Sequence, residues 1–233
     1  MLVFEPGVHP EEGFVTLARR ATVVLFLMAA SDAFAANFNV TNTNASGAGS
    51  LAQAITNANA TVEADTISFQ VLGVGKRIFS ADLPAVTQPL TIDGYTQFPA
   101  SDNSIDMFAT NANIIIALDG SALPAGEAVL QIDAGPTVIR GLEIRGIKAQ
   151  GYGIRVKSGV EGVSILGCFI GTDGTADLSS GTGIRVDGRA TIGSEPEEDR
   201  NLISGNDQGG IVLRGPASDV RNNLIGGNAA GSE

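Results

Sequence analysis

Aspartates at the ends of short apolar segments are the residues of this chain that best fit catalytic chemistry. Asp93, Asp119 and Asp133 each end a predicted strand, and Asp173 and Asp177 share one loop. Two carboxylates about 5–10 Å apart can hydrolyse a glycosidic bond. Elimination from a uronate would instead need an Arg or Lys base, together with a cation or carboxylate cluster that neutralises the sugar acid.

A structural role competes with catalysis at each of these aspartates. The Asp-Gly pairs at 93–94 and 119–120 are typical of tight turns, in which the carboxylate bonds to nearby backbone. Convergence of two or three of these side chains with an Arg in one groove would favour catalysis, whereas dispersal at turns would favour the structural role. The four candidate catalytic residues are Asp93, Asp119, Asp133 and Asp173.

Other reactive side chains are scarce. His9 is the only histidine and Cys168 the only cysteine. His9 precedes the predicted export cleavage site, so the mature chain has no histidine for Ser-His, Cys-His or His-metal chemistry. Cys168 lies between apolar neighbours, which favours a small core residue over a reactive thiol. The sequence predicts no cofactor; the alternative is calcium at Asp and Asn corners or at the acidic segment 193–200, although no spacing there resembles a calcium loop.

The first 35 residues resemble a secretory signal. Arg19 and Arg20 precede the apolar run 21–30, and Ala33-Phe-Ala35 follows it as a small-x-small cleavage site. The run is too short to cross a bilayer, which takes about 20 residues. We expect cleavage between Ala35 and Ala36, secretion or display at the cell surface, and no membrane span in the mature chain.

The charge balance excludes some partners. The whole chain carries 14 basic and 25 acidic residues, a formal net charge of −11. Removal of residues 1–35 leaves 12 basic and 21 acidic residues, a net charge of −9. Nucleic-acid phosphates and anionic membrane surfaces both require clustered Lys and Arg. The sequence therefore predicts neither partner.

Two interleaved repeated phrases indicate a stacked architecture. One of them, Gly-Ile-Arg-Val with its variant Gly-Ile-Val-Leu, recurs after 30 and 27 residues, measured from isoleucine to isoleucine. Most segments between glycine, asparagine and aspartate corners are only three to five residues long, too short for stable hairpins but suitable for parallel stacking. The copies are Asn201-Leu-Ile-Ser-Gly-Asn206 and Asn223-Leu-Ile-Gly-Gly-Asn228 for the first phrase, and Gly153-Ile-Arg-Val156, Gly183-Ile-Arg-Val186 and Gly210-Ile-Val-Leu213 for the second.

Alternation along these phrases predicts which side chains face the core. Ile184 and Val186 should point inward and Arg185 outward, with Arg155 in the same place one turn earlier. Asn206 and Asn228 should occupy equivalent corners and allow an amide ladder.

These patterns predict an all-β fold, a right-handed parallel β-helix of three sheets with a short N-terminal capping helix. Ser50 is a suitable N-cap with Gln53 as a capping-box partner, and the apolar stripe of the helix follows it. Residues 1–35 form the N-terminal extension and signal peptide, 36–64 the cap strand and helix, and 65–233 the β-helix, expected to be incomplete at its C-terminus. Three segments should leave the stack as excursions: 95–113, 171–182 and 193–200.

The chain resembles exported bacterial right-handed parallel β-helix proteins of the pectate-lyase-like superfold, and among them the surface proteins with a CSLREA-type N-terminal motif. Ala52 stands where that motif usually has Arg. The resemblance implies a secreted or surface-displayed β-helix module. It rests on Gly49-Ser-Leu-Ala-Gln-Ala54, Asp65-Thr-Ile67, Thr91-Ile-Asp-Gly94, Leu118-Asp-Gly120, Ile170-Gly-Thr-Asp173 and the Asn201–Asn206 phrase.

Two functions fit this sequence. The first is a non-catalytic module that binds glycans, a host surface or a cell-envelope partner through an outer face of the solenoid. The second is a polysaccharide lyase or glycoside hydrolase that uses the aspartates named above, an inference from fold analogy. The segments 95–113 and 171–200, which vary between the repeats, are where either function should be sought.

Overall fold

The computed structural model describes residues 34–105 and 109–227. Within these residues the chain is a parallel β-solenoid of about 7 turns with one short α-helix near its N-terminus, so the fold prediction is confirmed. All but the last two residues of the predicted signal peptide, together with His9 and Asn228, lie outside the described residues.

Three parallel sheets form the walls of the solenoid, and each strand pairs with the equivalent strand one turn away. Sheet A contains β1 (Asn37–Val40), β2 (Asp65–Phe69), β4 (Leu90–Asp93), β7 (Thr137–Arg140), β10 (Val163–Leu166), β13 (Ala190–Ile192) and β16 (Asp219–Val220). Sheet B contains β3 (Arg77–Ser80), β5 (Ile116–Asp119), β8 (Leu142–Arg145), β11 (Phe169–Ile170), β14 (Leu202–Ile203) and β17 (Leu224–Ile225). Sheet C contains β6 (Ala128–Ile132), β9 (Tyr152–Val156), β12 (Thr182–Val186) and β15 (Ile211–Leu213).

The core consists of columns of aliphatic side chains that repeat at the same register in successive turns. In sheet C, Ile184 pairs with Ile154 on one side and Ile211 on the other. Ile154, Ile184 and Val186 are fully buried. Arg185, between Ile184 and Val186 on β12, faces outward, as predicted. Sheet A contains a longer column of fully buried isoleucines, formed by Ile67, Ile92, Ile139, Ile165 and Ile192.

The helix α1 (Leu51–Ala58) packs against β1 and β2, and its apolar stripe joins the core. The Ser50 hydroxyl caps it by accepting the Gln53 N–H at 3.2 Å. The second half of the predicted capping box is wrong, because the Gln53 side chain donates to Asn57 instead. The helix begins where the sequence predicts, but only one of the two hydrogen bonds of a capping box forms.

The strands are short, two to five residues long, in agreement with the prediction of short segments between corners. Two strands, β13 and β16, were not predicted. Both are short and lie beside strands of the preceding turn, whose exposed backbone groups order them. Residues 95–113 and 193–200 leave the stack as predicted, whereas the predicted excursion 171–182 is too long, because Ser179 bridges Asn206 of the next turn and Thr182 already begins β12. The first begins with a short 3-10 helix (Gly94–Thr96), and the third contains another (Glu197–Asp199).

The glycines of the second phrase have a steric role that the sequence did not reveal. A Cβ at Gly153 would lie 2.5 Å from the carbonyl oxygen of Gly183, and one at Gly183 would lie 2.6 Å from that of Gly210. Successive turns therefore approach too closely at this column for any side chain. Positive φ, expected at corners, is not the reason at Gly153 and Gly183, although it does apply at Gly171.

Candidate functional site

Three of the four candidate aspartates end strands in three different sheets and do not converge. Asp93 ends β4 in sheet A, Asp119 ends β5 in sheet B, and Asp133 follows β6 in sheet C. Each pairs with a basic residue at the equivalent position of the next turn, a cross-strand arrangement that stabilises a sheet modestly. The N–O distances are 3.7 Å for Asp93 with Arg140, 3.4 Å for Asp119 with Arg145, and 2.9 Å for Asp133 with Lys157.

The aspartates also cap turns. Asp93 accepts a hydrogen bond from the Tyr95 N–H at 3.0 Å, and Asp119 accepts one from the Ser121 N–H at 2.9 Å. Asp173, the fourth candidate, accepts the N–H groups of Thr175 and Ala176 at 2.9 and 3.0 Å within its own loop. These bonds are typical of Asp in turns.

The charge states of the candidates follow from these contacts. Partial burial raises the pKa of Asp119 and of Asp133, but hydrogen bonds to the carboxylate outweigh it and leave both pKa values below 3.8. The Thr175 hydroxyl lowers the pKa of Asp173 in the same way. A general acid at neutral pH needs the opposite shift. The arrangement therefore offers three ionised turn carboxylates, and their catalytic roles stay predictions.

Sheet B carries a buried charge that the sequence did not suggest. Glu143 on β8 is fully buried on the outer side of the sheet, where its carboxylate contacts Lys76 Nζ and accepts from Arg145 Nη1 at 3.2 Å. Arg145 also reaches Asp119, so the four side chains form one network. A buried carboxylate is tolerated only when it is paired in this way. The one sequence signal was a Glu between two core residues, Leu142 and Ile144.

Two excursions meet over the outer side of sheet B. Asn103 in 95–113 donates to the carbonyl of Glu197 at 3.0 Å. Arg200 donates to the carbonyl of Ala109 at 2.8 Å and to Asn222 Oδ1 at 2.7 Å. Over residues 34–105 and 109–227, no group of three or more His, Cys, Asp or Glu side chains is placed to hold a metal ion. The hydrogen bonds of Asn103 and Arg200 therefore join the acidic segment 193–200 to the excursion 95–113.

The outer face of sheet C brings together charges that lie about 30 residues apart in the chain. Arg155 on β9 and Arg185 on β12 are register partners, and both guanidinium groups lie over the ring of Tyr152, at 5.6 and 5.1 Å from its centroid. Arg185 donates to the Tyr152 hydroxyl at 2.8 Å and pairs with Asp187 at 2.9 Å. Lys157 extends the same face. We call Tyr152, Arg155, Lys157 and Arg185, with Asp133 and Asp187, the sheet C face.

Arg155 is one side chain of this face with free binding capacity, and it carries a planar fork. Its Nε donates to Asp187 at 3.4 Å, and its side chain is 39 % exposed. Its two terminal nitrogens donate no hydrogen bond to any residue that the structure describes. The planar fork of an arginine matches a carboxylate or sulfate in bidentate fashion. Asp187 and Tyr152 hold this fork in place on a rigid strand, a geometry suited to binding an anionic group.

Basic residues are scattered along the chain but not in space. The turn period of the solenoid places Arg155 and Arg185 side by side, although 29 residues separate them. The sequence signal that could have found this face was the repeated Gly-Ile-Arg-Val phrase with Tyr152 beside its first copy.

The chain was compared with protein-family models, curated proteins and solved structures, and none of the three comparisons finds a match. No helix in the described part of the chain is long and apolar enough to cross a membrane.

Proposed function

We propose that this chain is a non-catalytic binding module, and that its sheet C face holds glycans that carry carboxylate or sulfate groups. The observation that carries the proposal is the half-exposed fork of Arg155 beside the Tyr152 ring. A carboxylate or sulfate can bind the fork in bidentate fashion, while Tyr152 and Asp187 keep the guanidinium in place. Parallel turns repeat the same register, which suits a ligand that is itself repetitive.

We also propose that the protein is exported and belongs among the bacterial pectate-lyase-like β-helix proteins of the CSLREA type. The basic pair Arg19-Arg20, the apolar run after it and the Ala33-Phe-Ala35 site support export. The parallel solenoid with its N-terminal helix is consistent with the β-helix part of this proposal. N-terminal sequencing of the protein recovered outside the cell should start at Ala36, and a chain that keeps residues 1–35 there would contradict cleavage.

The binding proposal is tested with soluble acidic polysaccharides, both carboxylated and sulfated, by isothermal titration calorimetry. Arg155→Gln should weaken binding by about tenfold or more, because a charge-assisted hydrogen bond contributes about 1.5–3 kcal/mol. Arg189→Gln is the matched control, since it removes the same charge from an exposed side chain that lies next to β13 of sheet A. Higher salt should weaken binding by the wild type.

The same mixtures also distinguish binding from catalysis. They are assayed for new reducing ends and for unsaturated products after long incubation. Turnover of any polysaccharide would replace the binding function with the lyase or hydrolase alternative. Equal losses in the Arg155 and Arg189 variants would show that general charge, and not the sheet C face, determines affinity.

A further inference from the structure

A groove at the N-terminal end of the solenoid is separate from the sheet C face. It lies on the outer side of β1 and β2, between the loop 71–75 and the segment 96–98, and has a volume of about 480 Å³. Its floor is polar and its two walls are apolar. The floor residues are Asn37, Asn39, Ser68 and Gln70, and the walls are Leu72 and Phe98.

Two buried polar side chains hold these walls in place. Gln97, 4 % exposed, accepts the Val71 N–H at 2.8 Å and donates to the carbonyl oxygens of Val71 at 3.2 Å and of Phe98 at 2.9 Å. It therefore ties one wall to the other. Arg77, 6 % exposed, donates to the carbonyl oxygens of Val71, Gly73 and Gly75 and fixes the loop from beneath.

These anchors keep two large apolar side chains in solvent. Leu72 is 90 % exposed and Phe98 is 87 % exposed. Burying polar groups such as Gln97 and Arg77 costs free energy that hydrogen bonds only offset. The folded chain gains no core burial from Leu72 and Phe98 in return. Rigid apolar walls around an open groove are instead the arrangement that lowers the entropic cost of binding a ligand.

The floor offers hydrogen bonds without charge. Asn39 Nδ2 donates to Gln70 Oε1 at 2.9 Å, and the Ser68 hydroxyl donates to Asn37 Oδ1 at 2.8 Å. These cross-strand bonds orient the amides and leave Asn37 Nδ2, Asn39 Oδ1 and Gln70 Nε2 for other partners.

The lining of the groove also decides the charge of the ligand. No carboxylate is among the described residues that line it, in a chain with 25 acidic residues. Its one charged residue, Arg77, already bonds three backbone carbonyls from a buried position. An uncharged ligand with many hydroxyl groups and an apolar face therefore fits best.

We propose that this groove binds a neutral polysaccharide, with a sugar ring stacked on Phe98 and Leu72 and its hydroxyl groups bonded to the amides of the floor. The pyranose ring has an apolar C–H face and a hydroxyl-rich edge, which match the walls and the floor. The proposal shares with the proposed function only the general class of glycan ligand. The two sites differ in ligand charge, so each can fail without the other.

The test measures affinities of the wild type for soluble neutral glucan, mannan and galactan and for one acidic polysaccharide, by affinity electrophoresis and calorimetry. Phe98→Ala should lower the affinity for a neutral polysaccharide by about tenfold or more, as expected for a central aromatic contact. Val74→Ala is the control, because Val74 belongs to the loop 71–75 beside the groove and is 97 % exposed but does not line the groove. It should bind as the wild type does.

Each outcome decides between the two sites. Loss of neutral binding in Phe98→Ala with normal binding in Val74→Ala and Arg155→Gln supports the groove. A wild type that binds only the acidic polysaccharide overturns the groove and leaves the sheet C face standing. Neutral binding that falls in Arg155→Gln but not in Phe98→Ala assigns the ligand to the other face and also overturns the proposal. Circular dichroism of each variant confirms that the fold is retained.

Discussion

Replacement of Asn201 by Ala should reveal how much the repeated Asn-Leu-Ile phrase stabilises the solenoid. Asn201 is fully buried. Its Oδ1 accepts the N–H of Cys168, and its Nδ2 donates to the carbonyl of Ile165 and to Oδ1 of Asn223, each at 2.8 Å. One amide side chain therefore connects three successive turns.

The magnitude follows from the group that the substitution leaves unpaired. Asn201→Ala removes the partner of the Cys168 N–H, which belongs to a fully buried residue, whereas the Ile165 carbonyl keeps the hydrogen bond that it accepts from the Gly193 N–H at 2.9 Å. A buried backbone group that loses its hydrogen bond costs about 1–3 kcal/mol. Because one such group is left unpaired, the expected loss is about 1–3 kcal/mol, a substantial part of the roughly 5–15 kcal/mol that stabilises a typical domain.

Urea-induced unfolding followed by circular dichroism measures this loss as a change in the free energy of unfolding. Asn223→Ala is the matched control. Asn223 sits at the equivalent position one turn later and also makes three side-chain hydrogen bonds, but it is half-exposed, so water can replace them. We expect the control to lose about 1 kcal/mol or less. A loss below about 0.5 kcal/mol in Asn201→Ala, or equal losses in both variants, would refute the reasoning.

The remaining predictions concern the core, the thiol and the acid limit of stability. Ile184→Ala, in the centre of a packed column, should lower the free energy of unfolding by about 2–5 kcal/mol. The same change at Ile211, which is only partly buried in the last turn, should cost clearly less, and equal costs in urea titrations would contradict the packing. Burial raises the pKa of Cys168 to about 12, so a thiol reagent should leave the native protein unmodified and react only after denaturation; labelling of the native protein would show that this turn opens. Three aspartates have pKa values below the ordinary 3.8 in the folded state, so their stabilising effect is complete above that value and is lost as the pH falls through the lowered values. These residues are Asp119, Asp133 and Asp173. The midpoint of urea unfolding should accordingly drop in this acid range, and substitution of the three by Asn should make the drop smaller. An unchanged dependence on pH would show that these carboxylates do not set the acid limit of stability.

The repeated phrases predicted the core because their chemistry is local. Ile154 and Ile184 alternate with Arg155 and Arg185, and alternation along a strand decides which side chain faces inward wherever one face is buried. Pairing across turns then follows from the repeat itself. By contrast, β13 and β16 escaped prediction because Ala190–Ile192 and Asp219–Val220 are only three and two residues long, too short for an alternation pattern to be recognised, and pairing with the neighbouring turn makes them strands.

The spatial arrangement of the candidate site residues could be predicted less well from the sequence. Asp93 and Asp119 end strands, as predicted, and Asp133 directly follows one, but nothing in the chain says that the three strands belong to different sheets. The predicted amide ladder at Asn206 and Asn228 involves a residue outside the described part. The structure shows a ladder at Asn201 and Asn223 instead, at the start of the same phrase.

The sequence by itself determined the solenoid, its N-terminal helix and the inward columns, since period, capping and alternation act over a few residues or over one turn. Only the tertiary structure decided which charges meet. Arg155 reaches Asp187 across 32 residues, and Lys76 reaches Glu143 across 67. Those distances depend on the length of each turn and on the path of the excursions, because a side chain finds its partner through the turn stacked above it and not through its neighbours in the chain.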